Sequence, residues 1–223
     1  TQFWTPNSAK FLLIRPRVWS PKSLISDPVM LMEQKGIRGR KSARDKRGIL
    51  VWDPLVRLIH WGVVSMVLIN AAIVAKDSPI HLWAGYTMLV LVGVRLLWGV
   101  IGTRSARFSA FPPNPFRALG YLRQMRSGDR TVHLSHNPLG ALMVYNIWST
   151  LLVIGATGYM MGTVKFFGIA WVEQIHELAY DWLLLSIAGH IAGVVFDTWR
   201  SGVPLVQAML HGRKRIPKGT AVK

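Results

Sequence analysis

The chain has 223 residues, of which 51% are apolar and 17% are charged, and its formal net charge is +17. A soluble domain carries about 25% charged residues, so this composition favours a membrane protein. The absence of cysteine excludes disulfides, iron–sulfur clusters, thiolate zinc sites, a cysteine nucleophile and covalently attached c-type haem.

The chain divides into three parts by composition. Residues 1–48 are polar and basic with four prolines, which predicts a weakly ordered cytoplasmic arm. This arm has no apolar core of the length that a secretory signal needs. Residues 49–216 carry the apolar segments and form the predicted transmembrane domain, and residues 217–223 form a cytoplasmic tail.

Four apolar blocks follow the arm, at residues 55–75, 80–102, 139–162 and 176–196. A helix needs about 20 residues to cross a hydrocarbon core of about 30 Å, and each block is long enough. The blocks lack the alternation of strands, and the third has no charged residue. The sequence therefore predicts an all-α membrane protein, a bundle of four transmembrane helices, rather than a soluble bundle.

The connections between the blocks are short on one side only. Residues 76–79 form a tight turn, so the first two spans should be antiparallel neighbours. The third span begins at Asn137 and Pro138, a good helix cap followed by a first-turn proline. The stretch 164–172 is too short to span and should lie at the outer interface.

Basic residues fix the expected orientation. The segment 1–57, the connection 103–137 and the tail 197–223 together hold 24 Lys and Arg, whereas the other two connections hold Lys76 and Lys165 alone. Positive charge marks the cytoplasmic side. We expect a multi-pass protein of the bacterial inner membrane with both termini in the cytoplasm. The charge then reflects topology and attraction to anionic lipids, with no role in binding nucleic acid.

Four of the seven histidines lie within the spans, where ionisable groups are costly and usually functional. By position along the spans, His60 and His190 share the cytoplasmic layer, and His81 and His176 share the outer layer. His176 and His190 are 14 residues apart, which is almost four helical turns and about 21 Å, so they face the same way. The other three, at the membrane surface or in solvent, are His133, His136 and His211.

Two histidines that face each other across a bundle suit the axial positions of a haem iron. With no cysteine and no matching methionine, two bis-histidine b-type haems are expected, with all four histidines as iron ligands. Zinc would need more ligands. A proton or ion pathway and a purely structural role remain as alternatives for the same histidines.

Other residues fit a haem site. Gly85 lies one turn after His81 and would let a porphyrin approach the backbone. Arg95, and Arg57 near His60, are candidates to bind the propionates of the cytoplasmic haem, although either could instead extend to the interface. Glu177 and Asp181 could orient ligands or move protons, or could simply be solvated.

The run from Trp52 to Trp61 (WDPLVRLIHW) resembles the first-helix signature of the bacterial cytochrome b561 family, which includes the b-type cytochrome subunits of nickel–iron hydrogenases. The resemblance covers about residues 49–216. Further similar segments follow in order, namely His81–Tyr86, Val94–Gly99, Gly102–Phe108, His136–Gly140, the His176 to His190 spacing and Pro204–Arg215.

The resemblance implies a four-helix domain with two b haems, on His60/His190 and His81/His176. It implies electron transfer between membrane quinone and a periplasmic cytochrome or redox enzyme, so that the protein could act as a quinone-linked oxidoreductase. One alternative is a membrane anchor cytochrome subunit of a hydrogenase-like or other respiratory complex. Another is a small His-lined proton or ion transporter without haem. A homodimer stays open.

Overall fold

The computed structural model describes residues 46–76, 78–127, 131–217, 220 and 222. The predicted arm lies outside the described residues except for its last three, and so does most of the tail. In chain order the elements are β1 (Lys46–Leu50), α1 (Pro54–Leu68), a π-helical turn (Ile69–Ile73), α2 (Pro79–Ile101), a 3-10 turn (Phe108–Ala110), α3 (Pro115–Arg126), α4 (Pro138–Met161), α5 (Ala170–Ser201), α6 (Leu205–His211) and β2 (Arg213–Pro217).

Four of the helices begin with the same local chemistry. A short polar side chain caps the helix by accepting a backbone N–H, and a proline occupies the first turn, where its missing N–H costs nothing. The caps are Asp53, Ser78, Asn114 and Asn137. At the start of α4, the predicted one, the Asn137 Oδ1 accepts the Gly140 N–H at 2.7 Å.

Four helices are long and apolar enough to cross a membrane, so the predicted four-helix membrane fold is confirmed. They are α1 with its π-helical turn, α2, α4 and α5, with 20, 23, 24 and 32 residues. The first three differ from the predicted spans by one or two residues at each end. Helix α5, at residues 170–201, extends beyond its predicted span of 176–196 at both ends.

The packed neighbours are antiparallel. Along α4 and α5, hydrogen bonds join Asn137 to Asp197, Asn146 to Ser186, and Thr157 to His176. The two helices therefore run in opposite directions. The same pattern holds for α1 and α2, where a Cβ on Gly62 would lie 2.9 Å from Leu91.

The bundle consequently has two distinct ends. The short-loop end carries the connections 74–78 and 162–169. The long-loop end carries the connection 102–137, which includes α3. It also carries α6 and a small sheet that no pattern in the sequence predicted. In this sheet β1 pairs antiparallel with β2, from Lys46 opposite Pro217 to Leu50 opposite Arg213.

The interior is built from apolar side chains of several helices. Met88 and Val92 of α2, Leu151 of α4 and Leu183 of α5 form one buried cluster near the middle of the bundle. Many large apolar side chains on the outer faces are exposed, as expected where a helix contacts lipid.

Candidate haem sites

His81 and His176 meet at the short-loop end. His81 lies in the first turn of α2 and His176 in the second turn of α5. Their ring centroids are 6.5 Å apart, with an interplanar angle of 61°. The sequence predicted that these two histidines share a depth, and the fold brings their rings together across the bundle in an edge-on arrangement.

Both rings line a cavity of about 670 Å³, a volume that includes space open to the outside. Gly85 lines the cavity, and a Cβ added to it would meet no atom within 4 Å. Asn70, in the π-helical turn, also lines it, and its Oδ1 is buried without a hydrogen-bond partner among the described residues. Such π-helical turns occur often at functional sites.

The geometry of this pair fits a haem iron. Two metal–imidazole bonds place the ligating nitrogens about 4 Å apart, and the ring radii bring the expected centroid separation to about 6 Å. The observed 6.5 Å agrees. In the described part of the chain, no group of three or more His, Cys, Asp or Glu gathers to hold a metal ion, and a pair of histidines is what axial ligation of haem requires.

His60 of α1 and His190 of α5 lie toward the long-loop end. Both are half-buried. His190 lies 14 residues beyond His176 on one continuous helix, which is about 21 Å along its axis. His176 and His190 thus lie at two levels of α5, as the two predicted layers require.

Arg95 lies in the last third of α2, toward the long-loop end, and is buried. Only 5% of its surface is exposed. Its Nη2 donates to the Ala106 carbonyl at 3.0 Å, and the guanidinium lies 4.8 Å from the centroid of the Trp148 ring. Its Nη1 is buried without a hydrogen-bond partner among the described residues, as is the Nε of Arg57. Two buried guanidinium donors are thus available to an anionic group.

Asp53, the N-cap of α1, also accepts hydrogen bonds from residues at the end of α2. Besides capping α1, its Oδ2 accepts hydrogen bonds from Thr103 at 2.6 Å and from Trp98 at 3.1 Å. Burial raises the pKa of Asp53, but these hydrogen bonds, the one from Val56 and the charge of Arg95 outweigh it and leave the pKa lowered. A carboxylate is therefore maintained near Arg95.

His136, which was expected to be solvated or interfacial, is half-buried against two aromatic rings. Its ring packs between Trp52 and Phe111, with centroid distances of 4.9 and 4.6 Å. Burial and then the nearby charges, first those of Lys214 and Arg95, lower its pKa to about 3. The imidazole is thus held neutral. Sequence reasoning missed this residue because the connection 102–137, which supplies Phe111, has no helical period to place it.

Lys214 is a buried cation of β2. Its Nζ donates to the carbonyls of His133 at 3.0 Å and Ser135 at 2.7 Å, so the sheet is tied to the segment that precedes α4. Burial lowers the pKa of Lys214 to about 8, although Asp197 opposes that shift. Burial alternates along β2, but its first three residues, 213–215, are all basic, so the sequence carries no alternation that could have indicated the burial of Lys214.

A polar cluster lies between the two histidine pairs. The Asn146 Nδ2 donates to the Ser186 Oγ at 2.7 Å, and the Trp182 Nε1 donates to the Asn146 Oδ1 at 3.0 Å. Hydrogen bonds of this kind join transmembrane helices. Because Ser186 is one turn before His190, the cluster fixes the depth of His190 relative to α4.

The two carboxylates near His176 face solvent. Glu177 forms an ion pair with Lys76 at 3.0 Å, in which the side chains are 66% and 84% exposed. Asp181 is exposed as well.

No curated protein and no solved structure matches this chain. The sequence profile of the family described as prokaryotic cytochrome b561 matches residues 51–212. That segment is more than two thirds of the chain. It contains the four long helices and all four intramembrane histidines. The protein therefore belongs to the prokaryotic cytochrome b561 family, a family of membrane-embedded b-type cytochromes that carry haem and transfer electrons.

Proposed function

We propose that this protein binds two b haems, one at each histidine pair, and carries electrons across the inner membrane between membrane quinone and a periplasmic redox partner. The observation that carries the proposal is the His81–His176 pair, whose rings are 6.5 Å apart across a cavity that both rings line. Bound haem supplies a one-electron iron couple.

The residues of the chain would share the work of holding the two groups. Each histidine pair would provide two axial imidazoles, one of them from α5 in both cases. Gly85 leaves space for a flat ring system beside His81. The unpartnered guanidinium donors of Arg95 and Arg57 would bind propionates of the haem at the long-loop end, because a buried arginine pairs strongly with a carboxylate.

The charge distribution supports an orientation with the long-loop end in the cytoplasm. Exposed basic residues gather at that end, whereas the connections of the short-loop end carry Lys76 and Lys165. Cytoplasmic loops are enriched in lysine and arginine. The His81–His176 haem would then lie near the periplasm and the His60–His190 haem near the cytoplasm.

Haem content of the purified protein tests the proposal. We expect a reduced-minus-oxidised spectrum of b type, two haems per chain by pyridine haemochrome assay, and reduction of both by a quinol analogue. One haem per chain would contradict the two-site scheme. A chain without haem would contradict electron transfer and favour the ion-pathway alternative.

A membrane anchor subunit is a second candidate, favoured by the surface of the short-loop end. The connection 162–169 exposes Val164 and Phe167 almost fully, and such exposed apolar residues can contact a partner protein. This candidate needs a stable partner. Copurification of a soluble redox enzyme, lost in a Val164→Ser, Phe167→Ser variant that keeps its haem, would support it over a free-standing cytochrome.

A further inference from the structure

We propose that Thr157 is a positioning residue for the haem at the short-loop end, in that its hydroxyl accepts the Nδ1–H of His176 and directs the Nε2 of that ring toward the iron. The inference rests on the proposed haem function. Thr157 lies on α4 and contributes no metal ligand, so it would act through His176 alone.

The hydrogen bonds around Thr157 assign the direction of donation. Its Oγ1 lies 2.7 Å from the carbonyl oxygen of Val153 and 3.0 Å from the Nδ1 of His176. A hydroxyl has one hydrogen, and a carbonyl can only accept. The Ile154 carbonyl oxygen lies 3.1 Å from the same Oγ1, so two carbonyls compete for the one hydroxyl hydrogen. In the proposed arrangement that hydrogen goes to a carbonyl, an oxygen lone pair faces the ring, and the ring carries its own hydrogen on Nδ1. The Nε2 is then left unprotonated, as a metal ligand requires.

The ring of His176 is also held by packing. Thr157 is 5% exposed, so water does not compete for its hydroxyl. The next residue is Gly158, where a Cβ would lie 3.3 Å from the His176 Cε1. The carbonyl of Ile154 is a second hydrogen-bond acceptor for the ring. One turn of α4 thus fixes both the tautomer and the orientation of the imidazole.

The two histidines proposed as ligands of this haem differ in the hydrogen bonding of their Nδ1 atoms. The Nδ1 of His81 is buried with no hydrogen-bond partner in the part of the chain that the structure describes. A hydrogen bond from the second ring nitrogen orients a ligating histidine and raises its basicity. Stronger donation from His176 favours ferric over ferrous iron, so the Thr157 hydroxyl should lower the midpoint potential of this haem.

Thr157→Val removes the hydroxyl while keeping the shape of the side chain. We expect the midpoint potential of one of the two haems to rise and that of the other to stay constant. A tenfold change in the ferric-to-ferrous preference corresponds to about 59 mV for a one-electron couple. Because Ile154 still offers an acceptor, a shift of up to this size is expected. The same haem should dissociate about 10-fold faster or more, since loss of such a partner costs about 10–100-fold in affinity.

Thr150 provides a matched control two turns earlier on α4. It is buried too, and its Oγ1 donates to the Asn146 carbonyl at 2.8 Å, in the same way that Thr157 donates to Val153. Thr150→Val thus removes an equivalent hydroxyl and an equivalent bond to the backbone. We expect both midpoint potentials and the ferric electron paramagnetic resonance signals to match the wild type.

Thr157→Ser should restore the wild-type potential, because it keeps the acceptor. If Thr157→Val does not insert in the membrane, Thr157→Cys, with a weaker acceptor, should give an intermediate shift. The proposal is wrong if the potentials and resonance signals of the folded Thr157→Val or Thr157→Cys variant equal those of wild type, or if Thr150→Val produces the same shift. Failure of the proposed function is distinguishable, because the wild-type protein would then lack the haems.

Discussion

The two histidine pairs lie in different surroundings although α5 contributes to both. The His81–His176 pair lines a cavity with glycine, apolar and tyrosine side chains. The His60–His190 pair lies toward the long-loop end, where Arg95 and Lys214 are buried and the ring of His136 packs against Trp52 and Phe111. Space is the main feature of the first end, and charge and hydrogen bonding are the main features of the second. A substitution that fills the cavity should therefore disturb the first site, whereas a change of pH should act at the second end.

Removal of a ligand gives the largest expected effect and tests the pairing itself. His81→Ala and His176→Ala should each reduce the haem content from two to one, and should leave the same remaining haem with the same spectrum. His60→Ala and His190→Ala should leave the other one. The measurement is haemochrome stoichiometry together with low-temperature spectra.

The pairing would be wrong if variants of one proposed pair left spectroscopically different haems. His136→Gln is the control for this series, because His136 belongs to neither pair. It should keep both haems.

Filling the cavity should damage one site alone. A leucine at Gly85 has open space in the protein but would overlap with a porphyrin beside His81. We expect Gly85→Leu to insert and fold, and to lose only the haem whose signal also disappears in His81→Ala. Gly120→Leu on α3 is a control, since its Cβ also meets nothing within 4 Å. Two retained haems in Gly85→Leu would show that the porphyrin does not approach this glycine.

Acid should destabilise the long-loop end through His136. The pKa of this residue is about 3 in the folded protein and 6.5 in the unfolded chain. Between pH 6.5 and 3 the unfolded state therefore binds a proton that the folded state excludes, so stability falls as pH falls, by up to about 1.4 kcal/mol per pH unit. Thermal unfolding in detergent should show a shallower acid dependence for His136→Phe than for wild type.

The exposed His211 of α6 offers a comparison for this prediction. His211→Phe should retain the wild-type acid dependence. Equal slopes in wild type and His136→Phe would contradict the role assigned to burial of His136.

The smallest effect is expected at the exposed ion pair near His176. Solvent-exposed pairs contribute little because water and salt screen them. Glu177→Gln should leave the melting temperature and both haem spectra unchanged within error, at low and at high salt. A shifted spectrum would instead indicate that Glu177 supports His176, as the sequence alone allowed.

Much of this architecture follows from local sequence. The four apolar blocks, the Asn137–Pro138 cap and the family signature predicted the confirmed membrane fold and family. The same positions along the spans indicated that His81 and His176 share a level. Their role as haem ligands, like that of His60, His190, Arg57 and Arg95, stays a prediction that the haem assays test.

Other features had no local signal. Residues 102–137 contain no long apolar period, so nothing in the sequence placed Phe111 against His136. The sheet joins residues 46–50 to residues 213–217, and such distant pairing cannot be read from either strand alone. In the sequence, nothing distinguishes Thr157 from other small polar residues of a transmembrane helix. Its contact with His176 depends on how α5 packs against α4.

Sequence by itself determined the number of membrane helices and the approximate limits of three of them, because hydropathy and caps act over neighbouring residues. Tertiary structure alone decided which side chains meet: the 6.5 Å separation of His81 and His176, the burial of Arg95 and Lys214, and the hydrogen bond between His176 and Thr157. These depend on how helices rotate and slide against one another. That is settled by the packing of the whole bundle, which no single segment specifies.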